Sequence, residues 1–151
     1  MNPSTKRTVM LIGGIFAGLL VLVPAGLWLW MWLSFRSYRI ARQLEATRAV
    51  ADFHQRFNAH DLDAICRNAY KCGELPNLKQ DWQSVLEDAR NRGGAFKRVL
   101  RSDIQVSVEP PSVRADVVSL FEKGELRELF VLNDFDGPLK ITTYGTVFKP
   151  Q

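Results

Sequence analysis

Apolar residues take three different periods in succession along this chain, and each period predicts a different kind of element. From Thr8 to Phe35 there is no charged residue, and apolar side chains occupy every side of a helical projection. At about 1.5 Å per residue, a helix of that length exceeds the roughly 30 Å hydrocarbon core of a bilayer. The pattern therefore predicts a transmembrane helix over 8–35, with Pro24 near its middle, where the missing N–H bends the axis. Beyond Arg42 the period becomes amphipathic. Ala46, Ala49, Val50, Phe53 and Phe57 share one stripe while Glu45, Arg48, Asp52 and Arg56 point away, which predicts a domain helix from about Leu44 to Phe57. Neither Gly nor Pro occurs between Leu27 and Cys72, so the membrane helix is expected to run on into this one without a flexible stalk.

Asp61 is a good N-cap for a short second helix through Leu62, Ile65, Cys66 and Ala69, ending before Gly73. Asn77 with Gln80 makes a capping-box arrangement, and Leu78, Trp82, Val85, Leu86 and Ala89 continue a third helix to Gly93-Gly94. The period then falls to two. Ile104, Val106 and Val108 alternate with Asp103, Gln105, Ser107 and Glu109, predicting a strand with one wet face that Pro110 and Pro111 end. Val113 to Glu122 and Glu125 to Asn133 form a hairpin about Lys123-Gly124, and a turn at Asp134 to Gly137 leads to a last strand, Leu139 to Phe148. The middle strands are apolar on both faces, with Val118 and Leu120 opposite Val117 and Phe121. Helices cover one face, and the other calls for curvature, a loop or a second subunit.

The fold class expected is α+β: one N-terminal transmembrane helix, then three helices packed on a curved antiparallel sheet of about four strands. Its parts are a short tail over 1–7, the membrane helix over 8–35, a basic juxtamembrane segment over 36–43, and one domain over 44–151. The 151 residues carry a formal net charge of +4, but its placement matters more than its size. Lys6 and Arg7 precede the apolar run and Arg36, Arg39 and Arg42 follow it, while basic and acidic residues nearly balance from Gln43 onward. The excess faces lipid headgroups, and nucleic acid is not an expected partner. Trp28, Trp30, Trp32 and Tyr38 read as an interfacial aromatic belt beside those arginines. A cleaved signal peptide is disfavoured, because its apolar region spans about 7–15 residues and ends in small residues. Within the run, Gly14 and Gly18 make a GxxxG spacing that admits a close partner helix.

Orientation rests on conflicting signals. Positive charge slightly favours the C-terminal flank and would hold the domain inside the cell. A short N-terminal tail and the only two cysteines, Cys66 and Cys72, argue for export. An even cysteine count in one short segment fits a disulfide in an oxidising compartment, provided the second helix ends near Tyr70. Cys66 on an apolar face also serves as a small core thiol. The preferred reading is an uncleaved signal anchor in a bacterial inner membrane, with the domain periplasmic or extracellular.

Two segments carry a family likeness. FHQRFNAHDLDAI, with Phe57, Asp61, Leu62 and Ile65, and FEKGELRELFVLNDFDGPLKITTYG, with Gly124, Glu128, Phe130, Asp136-Gly137 and Tyr144, resemble the nuclear-transport-factor-2-like superfamily of the cystatin-like fold. Its small bacterial membrane-attached members are the nearest in pattern. The resemblance implies a cone-shaped domain, a cavity between helices and sheet, and dimers that pair through their sheets. In the enzymes of that group a buried Asp or Tyr acts on a small apolar substrate. The polar groups this chain offers to such a cavity are Asp63 and Tyr144, although an acid opening a helix is expected as a dipole partner and a core Tyr as a hydrogen-bonded residue.

Other chemistry finds no pattern here. His54 and His60, six apart, make a poor zinc pair and are expected at surface or half-buried positions. Gly93-Gly94 ends a helix where a phosphate loop begins one. No cofactor, metal site or catalytic set is expected. The preferred function is a non-enzymatic membrane-anchored domain that binds a protein partner or small apolar ligand at the membrane surface, with a homodimer through the sheet face. The alternatives are a small cone-cavity enzyme or ligand binder akin to ketosteroid-isomerase-like proteins, and a subunit of a secretion or envelope complex.

Overall fold

The apolar run and the first amphipathic stripe form one element. In the computed structural model, which describes residues 3–70, 72, 76–108, 110–134 and 137–150 (backbone alone for 3–19, 76, 149 and 150), helix α1 spans Pro3–Asn58. The described residues therefore hold three helices rather than the four expected, because neither Gly nor Pro interrupts the backbone between Leu27 and Asn58. α1 also continues through Pro24. It is long and apolar enough to cross a membrane. By contacts the chain divides into two compact units, Met1–Ile40 and Ala41–Gln151.

In the first unit the large side chains from Leu20 onward face outward. Trp28, Trp30 and Trp32 are 64, 69 and 48% exposed, and the Arg36 guanidinium lies 5.6 Å from the Trp32 ring centre. Arg39 is exposed and Tyr38 half-buried.

In the second unit α1 buries Ala46, Val50, Phe53 and Phe57. Helix α2, Leu62–Asn68, starts as expected at Asp61, whose carboxylate accepts from the Ala64 N–H at 2.9 Å. It stops at Ala69, which turns extended (φ −94°, ψ 141°), and this early stop brings Cys66 and Cys72 to a Cα separation of 4.9 Å with their sulfurs bonded. The expected helix stop at Gly73 lies outside the described residues. Helix α3 spans Pro76–Gly93, so Asn77 sits inside it and is not its cap. Proline tolerates the first helical position because that N–H has no intrahelical acceptor.

Four strands follow: β1 Phe96–Val108, β2 Pro111–Phe121, β3 Gly124–Asn133 and β4 Lys140–Pro150. They pair antiparallel in the order β1-β2-β3-β4. β1 starts well before the expected Asp103. Its register slips between Phe96 and Arg98 and again between Val99 and Arg101, and two bulges erase the alternation that period-two reading depends on. Of the turn expected at Asp134 to Gly137, Phe135 and Asp136 lie outside the described residues, and Gly137 has φ +130°.

The inner face of the sheet packs on the helices through Val117, Phe121, Leu126, Phe130, Leu132 and Ile141. The end of α3 fixes the β2–β3 hairpin. Gly94 at φ +77° takes the left-handed turn, while Lys123 N–H bonds Gly93 O and Glu122 N–H bonds Ala95 O. Gly93 itself lies against the sheet, where an added Cβ would come 2.6 Å from Leu126 Cδ1. On the outer face Val118, Leu120, Leu129 and Val131 are half-buried and Val147 is 68% exposed. Asp116 holds Arg114 at 3.1 Å and Arg127 at 3.3 Å among them.

Candidate functional site

Strand alternation puts three polar side chains on the inner face of the sheet. Ser119 lies between Val117 and Phe121 on β2, Glu128 between Leu126 and Phe130 on β3, and Tyr144 pairs across from Phe130 on β4. α1 adds a fourth. His54 follows Val50 by one helical turn at the edge of the apolar stripe and points at the same spot.

All four are buried: Glu128 and Ser119 fully, His54 at 1% and Tyr144 at 8% exposure. Glu128 Oε2 receives the Ser119 hydroxyl at 2.5 Å and lies 2.8 Å from His54 Nε2, while Oε1 accepts from the Tyr144 hydroxyl at 2.9 Å. A buried carboxylate without partners costs several kcal/mol, and three donors offset that cost. With Glu128 ionised, the ring nitrogen facing it carries the proton. Burial, and then the charge and hydrogen bond of Glu128, push the Tyr144 hydroxyl well above its ordinary value, so it stays a donor. The His54 ring stacks flat on Phe96 at 3.9 Å and edge-on to Phe121 and Phe130. Its other nitrogen, Nδ1, has no partner among the described residues.

This arrangement corrects two expectations. His54 is neither exposed nor half-buried, because the apolar stripe of α1 is wider than its first-choice positions where the sheet wraps it. Asp63 does not reach the interior. It projects from the first turn of α2 with its side chain 70% exposed, bonded to Lys79 at 2.6 Å, and that hydrogen bond, with the lysine's charge, holds its carboxyl below the ordinary carboxylate pKa. Of the two cavity candidates the structure brings only Tyr144 inward. The acid it finds there is Glu128, which the sequence carried in plain view: an ionisable residue at an inward position of an otherwise apolar alternation needs partners, and Ser119 and Tyr144 occupy inward positions of the neighbouring strands. Arg42, grouped with the headgroup-facing arginines, instead reaches Glu45 at 2.8 Å and Asp134 within the second unit. His60 is exposed at φ +59° in the corner after α1.

Cavities open near this core. One of about 170 Å³ lies between Trp82, Val85 and the outer side of the Tyr144 ring, with Trp82 stacked nearly parallel to Tyr144 at 6.2 Å. A second, about 180 Å³, lies among His60, Ile65, Gln83, Leu86, Glu87 and Arg90. A third, larger than these two at about 270 Å³, lies between α1, α2 and the start of β4, with Phe53, Ile65 and Ile141 as its apolar floor. Charged side chains form its rim. Asp52 accepts from Arg56 and Asn68, each at 2.7 Å, and Glu45 accepts from the Leu139 N–H at 2.8 Å, so both walls are tied together. The Tyr70 N–H bonds Ile141 O at 2.9 Å below it, joining the end of α2 to β4.

No group of three or more His, Cys, Asp or Glu among the described residues is placed to hold a metal ion. The fold and site define an α+β domain with a sealed polar cluster and an open cleft beside it. No family model, curated protein or solved structure matches the chain.

Proposed function

We propose that this protein is a single-pass, membrane-anchored binding domain of nuclear-transport-factor-2-like architecture that takes a small apolar ligand or a partner's side chain in the cleft between α1, α2 and β4. The observation that carries this reading is the cleft itself, about 270 Å³ with an apolar floor and walls linked to each other by hydrogen bonds. Preformed concave sites of this character are where ligands bind, because floor water is released without a cost in reorganisation. Glu128, by contrast, has each oxygen engaged by an internal donor. The test is a titration of the full chain in lipid nanodiscs with indole as a neutral apolar probe, followed by NMR. Shifts confined to Phe53, Ile65 and Ile141 support the cleft. Shifts at Trp82 and Tyr144 instead would favour a second reading, a small cone-cavity enzyme, which the Trp82–Tyr144 pocket motivates.

The anchor belongs to a bacterial inner membrane with the domain on the outer side, a placement favoured by the bonded Cys66 and Cys72. A C-terminal reporter active on one side of the membrane checks this. Pairing of two copies through the outer sheet face is part of the same proposal, in an envelope or assembly role. A strictly monomeric mass by light scattering of the solubilised chain would remove it.

A further inference from the structure

We infer that the ligand of the cleft is a small monocarboxylic acid whose carboxylate sits on Arg48 and whose aromatic or branched aliphatic body covers Phe53, Ile65 and Ile141. The inference rests on the cleft being the binding site and names the ligand's chemistry. It begins from the rim. Glu45 and Asp52 are both engaged: Glu45 by Arg42 at 2.8 Å and the Leu139 N–H at 2.8 Å, Asp52 by Arg56 and Asn68 at 2.7 Å. Arg48 lies between them on α1, lines the cleft, is exposed, and makes no hydrogen bond or ion pair among the described residues. Arg42 is shared between Glu45 and Asp134 and Arg56 is taken by Asp52, so Arg48 is the cleft-lining guanidinium with no carboxylate partner among the described residues, its five donors turned to water beside an apolar floor. A carboxylate is the group whose two oxygens match that planar fork.

Size limits the rest of the molecule. The cleft is small, about 270 Å³, and takes a body of about one aromatic ring with a short chain rather than a larger molecule. The two links between the cleft walls, at Glu45 and at Asp52, are about 10 Å apart along α1, so they bracket a short body between them. A compact acid fits this space with its head at the rim and its body on the floor.

The experiment titrates hydrocinnamate and its uncharged amide into the full chain in zwitterionic nanodiscs, with NMR shifts of Phe53 and Ile141 as readout, for the native protein and for Arg48→Gln and Arg114→Gln. The expected result is that the acid binds at least about tenfold more tightly than the amide, that Arg48→Gln removes this preference, and that Arg114→Gln, on the outer sheet face, preserves it. Equal affinity for acid and amide, or an acid preference that survives Arg48→Gln, overturns the inference while leaving the cleft as a binding site. Failure of both compounds to shift Phe53 and Ile141 overturns the cleft reading and the inference together.

Discussion

Replacing Tyr144 by Phe removes one oxygen atom from the core and leaves the ring in its stack with Trp82 and its packing on Phe53 and Phe130. What is lost is the hydroxyl that donates to Glu128 Oε1 at 2.9 Å. Both groups are buried, so water does not replace the missing donor, and the carboxylate keeps only Ser119 and His54 on its other oxygen. A hydrogen bond to a charged acceptor contributes about 1.5–3 kcal/mol. For a domain of this size that lowers the midpoint of thermal unfolding by roughly 6–20 °C. The pH dependence gives an independent check. Burial and Glu128 hold the Tyr144 hydroxyl well above 10.0, its ordinary value. The unfolded chain releases that proton at a pH where the folded domain still binds it. The stabilisation is therefore complete below about pH 10 and is lost as pH rises from there toward the folded value. Tyr144→Phe has no such proton, so the stability gap between variant and native protein narrows above pH 10. Urea unfolding of the full chain in mild detergent, read by near-ultraviolet circular dichroism at neutral and alkaline pH, measures both effects. A loss below about 0.5 kcal/mol, or a gap that stays constant above pH 10, would refute the sealed network.

Gly93→Ala is expected to cost about 1–3 kcal/mol, since its Cβ meets Leu126 Cδ1 at 2.6 Å and Phe121 Cδ1 at 3.1 Å in a filled core; a urea midpoint equal to the native one would contradict that close approach. Reducing the Cys66–Cys72 bond opens a loop of six residues' separation and is expected to lower stability by about 2 kcal/mol, measured as the shift of the urea curve on adding dithiothreitol. Asp63→Asn breaks only an exposed pair with Lys79, so its unfolding midpoint should match the native one within error; a clear loss would show that the acid does more than its geometry indicates.

Where local pattern and packing agree, the sequence is a reliable guide. Of the predicted α1 stripe Ala46, Val50, Phe53 and Phe57 are buried and Ala49 is half-buried, and the middle strands, apolar on both faces in the sequence, bury one face and half-bury the other. Asp61 caps α2 because its backbone need is local. The failures share a cause, which is that they depend on contacts between distant segments. β1 over Phe96–Arg101 shows no alternation because two bulges absorb it, and only pairing to Leu120 and Phe121 reveals a strand. Asn77 looks like a cap until Pro76 occupies the first helical position. Asp63 and His54 exchanged roles for the same reason. An acid two residues into a helix can point anywhere a side chain fits, and whether a histidine beside a stripe is buried depends on the breadth of the surface laid against it. Glu128 and Ser119 sit at positions of the same parity as their buried neighbours Leu126 and Phe130, Val117 and Phe121, but apolar residues on both faces of these strands hid which parity faces inward until the helices were laid against one side.

Glu128 also ranks the two cavities as places for a ligand. For a molecule in the pocket between Trp82 and Tyr144 to reach the carboxylate, it must displace the Tyr144 ring, which stacks on Trp82 and contacts Phe53 and Phe130, and must replace the hydroxyl on Glu128 Oε1. Both losses come before any gain from the incoming group. The cleft against α1 requires neither. Its floor is exposed to entry, its walls are already linked, and the cation at its rim has donors to spare. A ligand there gains contacts without breaking any, so occupancy of the cleft is favoured at concentrations too low to open the core. Chemistry at Glu128 would therefore demand a substrate whose binding energy exceeds the whole Tyr144 contribution. This makes Tyr144→Phe a discriminating variant: it should weaken the fold while leaving cleft affinity for hydrocinnamate within about twofold, because no cleft-lining residue loses a contact.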